Sequence, residues 1–405
     1  MTQAMQAAAW EPRYARRAGR MAASEIRELL KVVDQPGVIS FAGGIPDPAL
    51  FPLDEAKAAY AAVLGSSTNG LQYSVSEGYL PLRQWIAHHM GTLGVPCDAD
   101  NIVVTCGSQQ GLEFLGRLLL SPGDTALVMA PTYLGALQAF SGSEPRYDEL
   151  RPEHGNRTPA SYADAARGAG GEVKLAYVVP DFANPTGETL SLAARERLLD
   201  LAAELDIPII EDAAYAMLRF AGEPVPPILA LEVKRRDSIE KARAVYCGTF
   251  SKVLSPGLRV GWIAGPKALV QRLVLIKQAS DLNSATINQM VMHRMAEAAF
   301  ETQVARARTH YRRRRDWLLA ALQRHMPTGL SWTHPQGGLF AWMTLPDGTD
   351  AAALLQRSLG EAGVAFVPGG AFFHDGRGRN TLRLSYSLPG EAEIDRGIAR
   401  LARLI

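Results

Sequence analysis

The run VYCGTFSKVLSPGLRVG, residues 245–261, carries an apolar stretch that breaks off at Thr249, Ser251 and Lys252 and is followed by Arg259. Unbroken apolar character over so few residues, bounded by turn formers, marks a strand buried on both faces rather than one alternating between core and water. Four earlier runs read the same way: residues 102–105, 126–129, 175–179 and 208–210. Segments with helical spacing separate them. That alternation predicts an α/β chain with a mostly parallel sheet and crossover helices.

Polar residues gather where each run stops. Gly107, Ser108, Gln109 and Gln110 follow the first, Pro131 to Tyr133 the second, and Asn184-Pro185-Thr186-Gly187 the third. Glu211 and Asp212, with Tyr215, close the fourth, and residues 249–252 close the last. Ligands of open α/β sheets bind beyond the carboxyl ends of the strands, so these clusters converge on one crevice. A lysine there can condense with an aldehyde if it is held in place and partly deprotonated, while Thr249, Ser251 and Arg259 are donor types that grip a phosphate. Pyridoxal 5'-phosphate carries both groups. Taken alone, the same residues read as a surface serine and lysine.

Composition narrows the classes further. The 405 residues are 47% hydrophobic, enough for two or three domains. With 42 basic against 41 acidic side chains, no global field points to nucleic acid or an anionic membrane. Cys97, Cys106 and Cys247 lack paired spacing, so buried free thiols in a reducing compartment are expected rather than disulfides or zinc. No apolar run reaches the roughly 20 residues of a membrane span, and no secretory signal is evident; a soluble, cytoplasmic protein is expected. Arg13, Arg16, Arg17 and Arg20 make a basic first segment, read as an arm packing on the body or on a neighbouring subunit. The run Arg312 to Arg315 reads as the solvated face of a helix.

Beyond a helix-rich stretch at 266–325, strand-like runs at 339–345, 364–367 and 381–386 predict a smaller α+β domain. The expected division is an N-terminal segment at 1–50, a large domain at 51–294 and a small one at 295–405, with the boundary in the helix near 290–299.

The motifs NPTG at 184–187, D-x-x-Y at 212–215, SK with SPGLR at 251–259 and RLSY at 383–386 resemble the class I/II aminotransferases, pyridoxal phosphate enzymes of fold type I. The segments FAGG-PDP at 41–48, LQYS-EGY at 71–79 and GSQQ at 107–110 are most similar to its 2-aminoadipate and broad-specificity branch. The resemblance implies Lys252 as the catalytic lysine. Asp212 would keep the pyridine nitrogen protonated, or else cap a helix. Tyr215 and Asn184 would meet the ring oxygen, although Asn-Pro also simply begins turns. Tyr133 would stack on the ring or merely pack. Ser108 and Gln109, opening a helix, would join Thr249, Ser251 and Arg259 around the phosphate; an N-cap at Ser108 is the plain alternative.

Tyr73 matches a position that reaches the phosphate of a neighbouring subunit, which implies a homodimer; otherwise it is an exposed loop aromatic. Arg383 would grip the substrate α-carboxylate as a bidentate fork, or form an ordinary surface ion pair. Held so, the carboxylate leaves the Cα–H bond perpendicular to the ring, favouring proton removal over decarboxylation. Gly44 and Asn184 would border the substrate, and Ser24 and Arg27 would meet its distal end, unless they belong to a plain amphipathic helix. Expected donors are 2-aminoadipate, glutamate, leucine or aromatic amino acids, with a 2-oxo acid such as 2-oxoglutarate as acceptor. The rivals are a lyase or decarboxylase on the same fold, and a regulatory module of the winged-helix kind, for which the forty or so residues before Phe41 leave no room.

Overall fold

A computed structural model describes residues 10–20 and 37–405. After the short strand β1 (Ile39–Ser40) come β2 (Ile102–Thr105), β3 (Thr125–Met129), β4 (Arg146–Leu150), β5 (Val173–Val178), β6 (Ile209–Asp212), β7 (Ala244–Thr249) and β8 (Gly261–Ala264). These last seven form one sheet in the order β2-β8-β7-β6-β5-β3-β4. All are parallel except β8, which runs antiparallel to both β2 and β7. The expected α/β architecture is therefore present, and the five predicted runs are all strands. β2, β6, β7 and β8 are buried at every position because helices cover both faces.

The remaining four-stranded sheet is antiparallel, and one further two-stranded pairing is parallel. β9 (Ser331–Trp332), β10 (Phe340–Thr344), β11 (Val364–Ala365), β12 (Val367–Pro368) and β13 (Thr381–Ser385) supply a four-stranded sheet, β12-β13-β10-β9, while β11 pairs with β1. The run predicted as one strand at 364–367 is thus two short ones serving different partners, split at the wholly buried Phe366. Beyond β1, Phe41 N–H donates to Ala365 O and Phe41 O accepts from Ser385 N–H. The N-terminal segment is in this way stitched to the small sheet and led toward the ends of β6 and β7.

The helix Thr286–His325 is continuous through 290–299. Val291, Met292 and Met295 pack into one core cluster, and Ala307, Tyr311 and Leu318 into another that includes β10 and β13. Its arginine run is only in part the solvated face expected: Arg312 and Arg313 are exposed, while Arg314 and Arg315 are half-buried against the body. Arg314 Nη2 lies 2.5 Å from Asp47 Oδ2 and its Nη1 donates to Ser387 O and Pro389 O. Arg312 donates to Phe220 O and Arg315 to Pro335 O. Loop carbonyls without a strand or helix partner need donors, and a guanidinium on a long stem reaches them. Nor are all the thiols buried, since Cys106 is exposed. The arm at 10–20 meets the body through Arg16 and Glu144.

His89, on the helix Leu80–Thr92, is stacked on Trp85 at 5.4 Å and edged by Phe300 and Trp262. Its Nε2 is buried with no partner among the described residues. Burial, with His88 adding, pushes its pKa down to about 4. The unfolded imidazole, near 6.5, binds a proton that the folded one refuses between those values, so stability falls as pH drops through that window. Going from pH 7 to pH 5 is expected to cost about 2 kcal/mol through this side chain. Urea midpoints of the parent and a His89→Phe variant at both pH values check it; equal losses in the two would remove His89 from the account.

Candidate active site

β6 and β7 end side by side, Asp212 in register with Cys247, so the residues just past each strand share one edge of the sheet. Lys252 lies three residues beyond β7. Its Nζ donates to Gly44 O at 3.3 Å and sits 5.5 Å from the centre of the Tyr215 ring. Burial, then the cations of Arg259 and Arg383, lower its pKa to about 8, with Asp212 opposing. An amine tuned this way is free base in a useful fraction near neutrality, which an exposed lysine is not.

Ser108, Thr249, Ser251 and Arg259 line the same cavity as Lys252. The helix Ser108–Leu119 starts at Ser108 itself; Gly107 is its cap, at φ 74°, and no side chain among the described residues caps it. The N-cap reading of Ser108 is therefore corrected, and the first backbone N–H groups of a 12-residue helix are left to face the cavity. A Cβ on Gly107 would come within 2.4 Å of Arg259 Nη2, so only glycine lets the guanidinium close this cup. Arg259 holds a left-handed backbone, φ 53°, and donates to Pro256 O and Cys106 O. Thr249 Oγ1 is 2.9 Å from Ser251 Oγ and 3.3 Å from Val260 O, bracing Ser251.

Gln109, Tyr133, Asn184, Asp212 and Tyr215 line the same cavity. Tyr133 OH lies 3.3 Å from Gln109 Oε1, and Gln109 Nε2 donates to Gly135 O at 2.6 Å. The ring of Tyr133 covers Gly135, where a Cβ would stand 2.4 Å from it. Asp212 caps no long helix. Asp212 Oδ2 accepts from Tyr177 OH at 2.9 Å, with the Ala214 N–H also favouring the charged form, while Oδ1, fully buried, has no partner among the described residues. Burial raises its pKa to about 6, against those hydrogen bonds and Lys252.

Arg383, on β13, is buried rather than a surface ion pair. Its Nη1 donates to Asn184 Oδ1 and its Nη2 to Ala42 O, each at 2.7 Å, and Phe340 and Phe372 flank the guanidinium at 4.3 and 5.1 Å. Gly44 abuts the Phe340 ring, where a Cβ would come to 2.5 Å. Tyr73 stands apart, 78% exposed on a loop of the single chain. Ser24 and Arg27 lie outside the described residues.

The site fits pyridoxal phosphate. An orphaned buried carboxylate oxygen needs a cationic or N–H donor, the cup offers hydroxyls, helix N–H groups and a guanidinium to a dianion, and the amine stands in the same cavity. Fold and site together define an α/β enzyme of carbonyl–amine chemistry.

The chain belongs to the aminotransferase class I and II family, whose profile matches residues 36–401. It is 41% identical over 403 residues to the 2-aminoadipate transaminase of Thermus thermophilus, covering 99% of this chain and 98% of that one. It is 39% identical over 402 residues to aromatic-amino-acid aminotransferase 1 of Thermococcus litoralis, covering 98% and 94%. The solved α-aminoadipate aminotransferase of Thermus thermophilus, complexed with N-(5'-phosphopyridoxyl)-L-leucine, superposes with a TM-score of 0.87 at 39% identity, over 98% of this chain and 97% of that one. The protein is a pyridoxal phosphate-dependent aminotransferase of fold type I acting on amino acids.

Nothing in the sequence singles out Tyr177. It sits inside an aliphatic run and reads as core; the available signal is a phenol that, once buried, needs a partner.

Proposed function

We propose that this aminotransferase takes 2-aminoadipate, glutamate, leucine and aromatic amino acids as donors and a 2-oxo acid such as 2-oxoglutarate as acceptor, in a ping-pong cycle on Lys252. The observation that carries the assignment of roles is the half-buried Lys252 amine, tuned to about 8, which shares one cavity with the cup and the orphaned carboxylate and feels the charge of Arg383. The donor range rests on the 2-aminoadipate, aromatic and leucine chemistry named for the relatives.

Ser108, Ser251, Arg259 and the first N–H groups of the helix after Gly107 hold the phosphate, with Thr249 bracing Ser251. Asp212 Oδ1 holds the pyridine nitrogen, Tyr133 covers the ring, and Asn184 and Tyr215 meet its phenolic oxygen. Pyridoxal phosphate, when bound, supplies the carbonyl for amine exchange and an electron-poor ring that accepts the Cα electron pair. Arg383 orients the donor carboxylate beside Asn184 and Gly44. Lys252 Nζ takes the proton from the donor Cα and would deliver it to the cofactor's C4' carbon rather than back to Cα. Hydroxyl and guanidinium contacts of roughly 1.5–3 kcal/mol each retain the phosphate.

Two further readings have support of their own. Leu71, Tyr73, Val75 and Leu80, with Leu282, are large apolar side chains left exposed, and Thr286 Oγ1 ties the 71–75 loop to the long helix through Gln72 O. Such surface calls for cover, which favours a homodimer in which Tyr73 of the partner subunit completes the phosphate site. Unpaired cysteines, and no described helix long and apolar enough to cross a membrane, agree with a cytoplasmic enzyme.

The test is the visible cofactor band of the holoenzyme, followed as each donor is added and then 2-oxoglutarate. Loss of the band with the donor and return with the oxo acid is expected, the rates ranking the donors. Carbon dioxide release without a 2-oxo acid product overturns the reading in favour of a decarboxylase.

A further inference from the structure

Tyr177 stands on β5, wholly buried, one strand over from Asp212. Its ring is edged by Phe140, centroids 5.7 Å apart at 82°, and its hydroxyl donates to Asp212 Oδ2 at 2.9 Å. Burial, then Asp212, raises the phenol well above its ordinary range, so it stays a neutral donor at any working pH. The Ala214 N–H also favours the charged form of Asp212, and Oδ1, buried, has no hydrogen-bond partner among the described residues. The phenol thus occupies one oxygen of a carboxylate that lines the cavity and leaves the other for a further donor.

We propose that Tyr177 is a positioning residue that keeps Asp212 ionised and its Oδ1 aimed at the cofactor nitrogen, and thereby sets how tightly the cofactor is held and how well its ring draws electrons. This rests on the reading of Asp212 given above. Without the phenol a buried carboxyl keeps Ala214 N–H and the Lys252 charge, and its desolvation is opposed by less, so it takes up a proton at higher pH. The other titratable groups on its side of the sheet are Cys247 on β7 and Tyr215 after β6, both buried and held neutral, their own pKa values raised by burial and by Asp212, while Glu211 and Tyr246 point to the opposite face.

The experiment uses the full chain as Tyr177→Phe, which keeps the buried ring, beside Asp212→Asn and Phe140→Leu. Pyridoxal phosphate itself is titrated into the apo protein, and kcat and KM are followed with pH. For Tyr177→Phe the dissociation constant is expected to rise about tenfold and kcat to fall about tenfold, with the donor KM little changed and the acid limb of kcat moved to higher pH. Phe140→Leu, which loosens the packing and keeps the phenol, is expected to lower the apo melting temperature but leave affinity and pH profile at parental values. If Tyr177→Phe binds cofactor and responds to pH as the parent does while Asp212→Asn does not, the inference is wrong and the reading of Asp212 stands. If Phe140→Leu reproduces the Tyr177→Phe profile, the role is packing and the inference again fails. An Asp212→Asn protein with parental affinity and profile sinks the reading and the inference together.

Discussion

Lys252→Ala is expected to lower kcat for transamination by about 10⁴-fold or more, and to do so in a protein that folds and still binds the cofactor phosphate. The loss combines two functions of one amine: general base catalysis alone contributes about 10²–10⁴, and the nucleophile that prepares the cofactor for exchange is lost with it. Cofactor retention should survive because the cup of Ser108, Ser251 and Arg259 makes no contact through Nζ, whose hydrogen bond is to Gly44 O. Folding should survive because removing a half-buried cation that Arg259 and Arg383 repel relieves repulsion as well as leaving a gap. Lowered to about 8, the lysine also sets a direction for pH: the free-base fraction grows as pH rises through that value, so the parent should gain activity on the alkaline side of neutrality. Small primary amines added to Lys252→Ala supply a base of the missing kind, and partial rescue is expected. Pre-steady-state mixing with a donor, read at the visible band, checks all of this. Parental turnover by the variant would mean that another group carries the proton.

What could be read from the chain beforehand follows from where its chemistry sits. β2, β3, β5, β6 and β7 are buried on both faces, so each shows as an apolar run that ends in polar residues, and those ends hold the site. β4 escaped because it is the edge strand: RYDEL buries only Leu150 fully and turns its other side chains partly to water. β8 escaped because it follows Arg259 at once and runs antiparallel, outside the alternating pattern. Arg314 and Tyr177 were invisible for opposite reasons. One lay in a cluster of like charges, the other in a run of aliphatics, and only the fold brings Asp47 to the first and Asp212 to the second. Gly44 and Arg383, 339 positions apart, meet Lys252 and Asn184 through pairings of β1 with β11 and of β12 and β10 with β13, which no local pattern encodes.

Arg383→Lys is expected to lower kcat/KM by about 10²–10³-fold for every amino acid donor, while the visible spectrum and cofactor affinity stay near parental. A guanidinium has five N–H groups in one plane. Here one is spent on Asn184 Oδ1 and one on Ala42 O, Nε is buried with no partner among the described residues, and Phe340 and Phe372 clamp the plane. The fork is thus pre-set, with donors to spare for a carboxylate, and ordering it costs the substrate nothing further. An ammonium on a shorter stem cannot satisfy Asn184, Ala42 and a carboxylate at once. Leaving a buried charge contact unmade costs about 2–5 kcal/mol, which corresponds to the stated fall at its middle. Burial lowers Arg383 only to about 10, so it is charged at every pH at which Lys252 works, and the loss should not vary with pH across that range. Steady-state kinetics with two donors of different side chain, beside an amine lacking a carboxylate, separates the roles. The donors should fall together and the amine should be unaffected; a fall confined to one donor would move Arg383 from the α-carboxylate to the side-chain pocket.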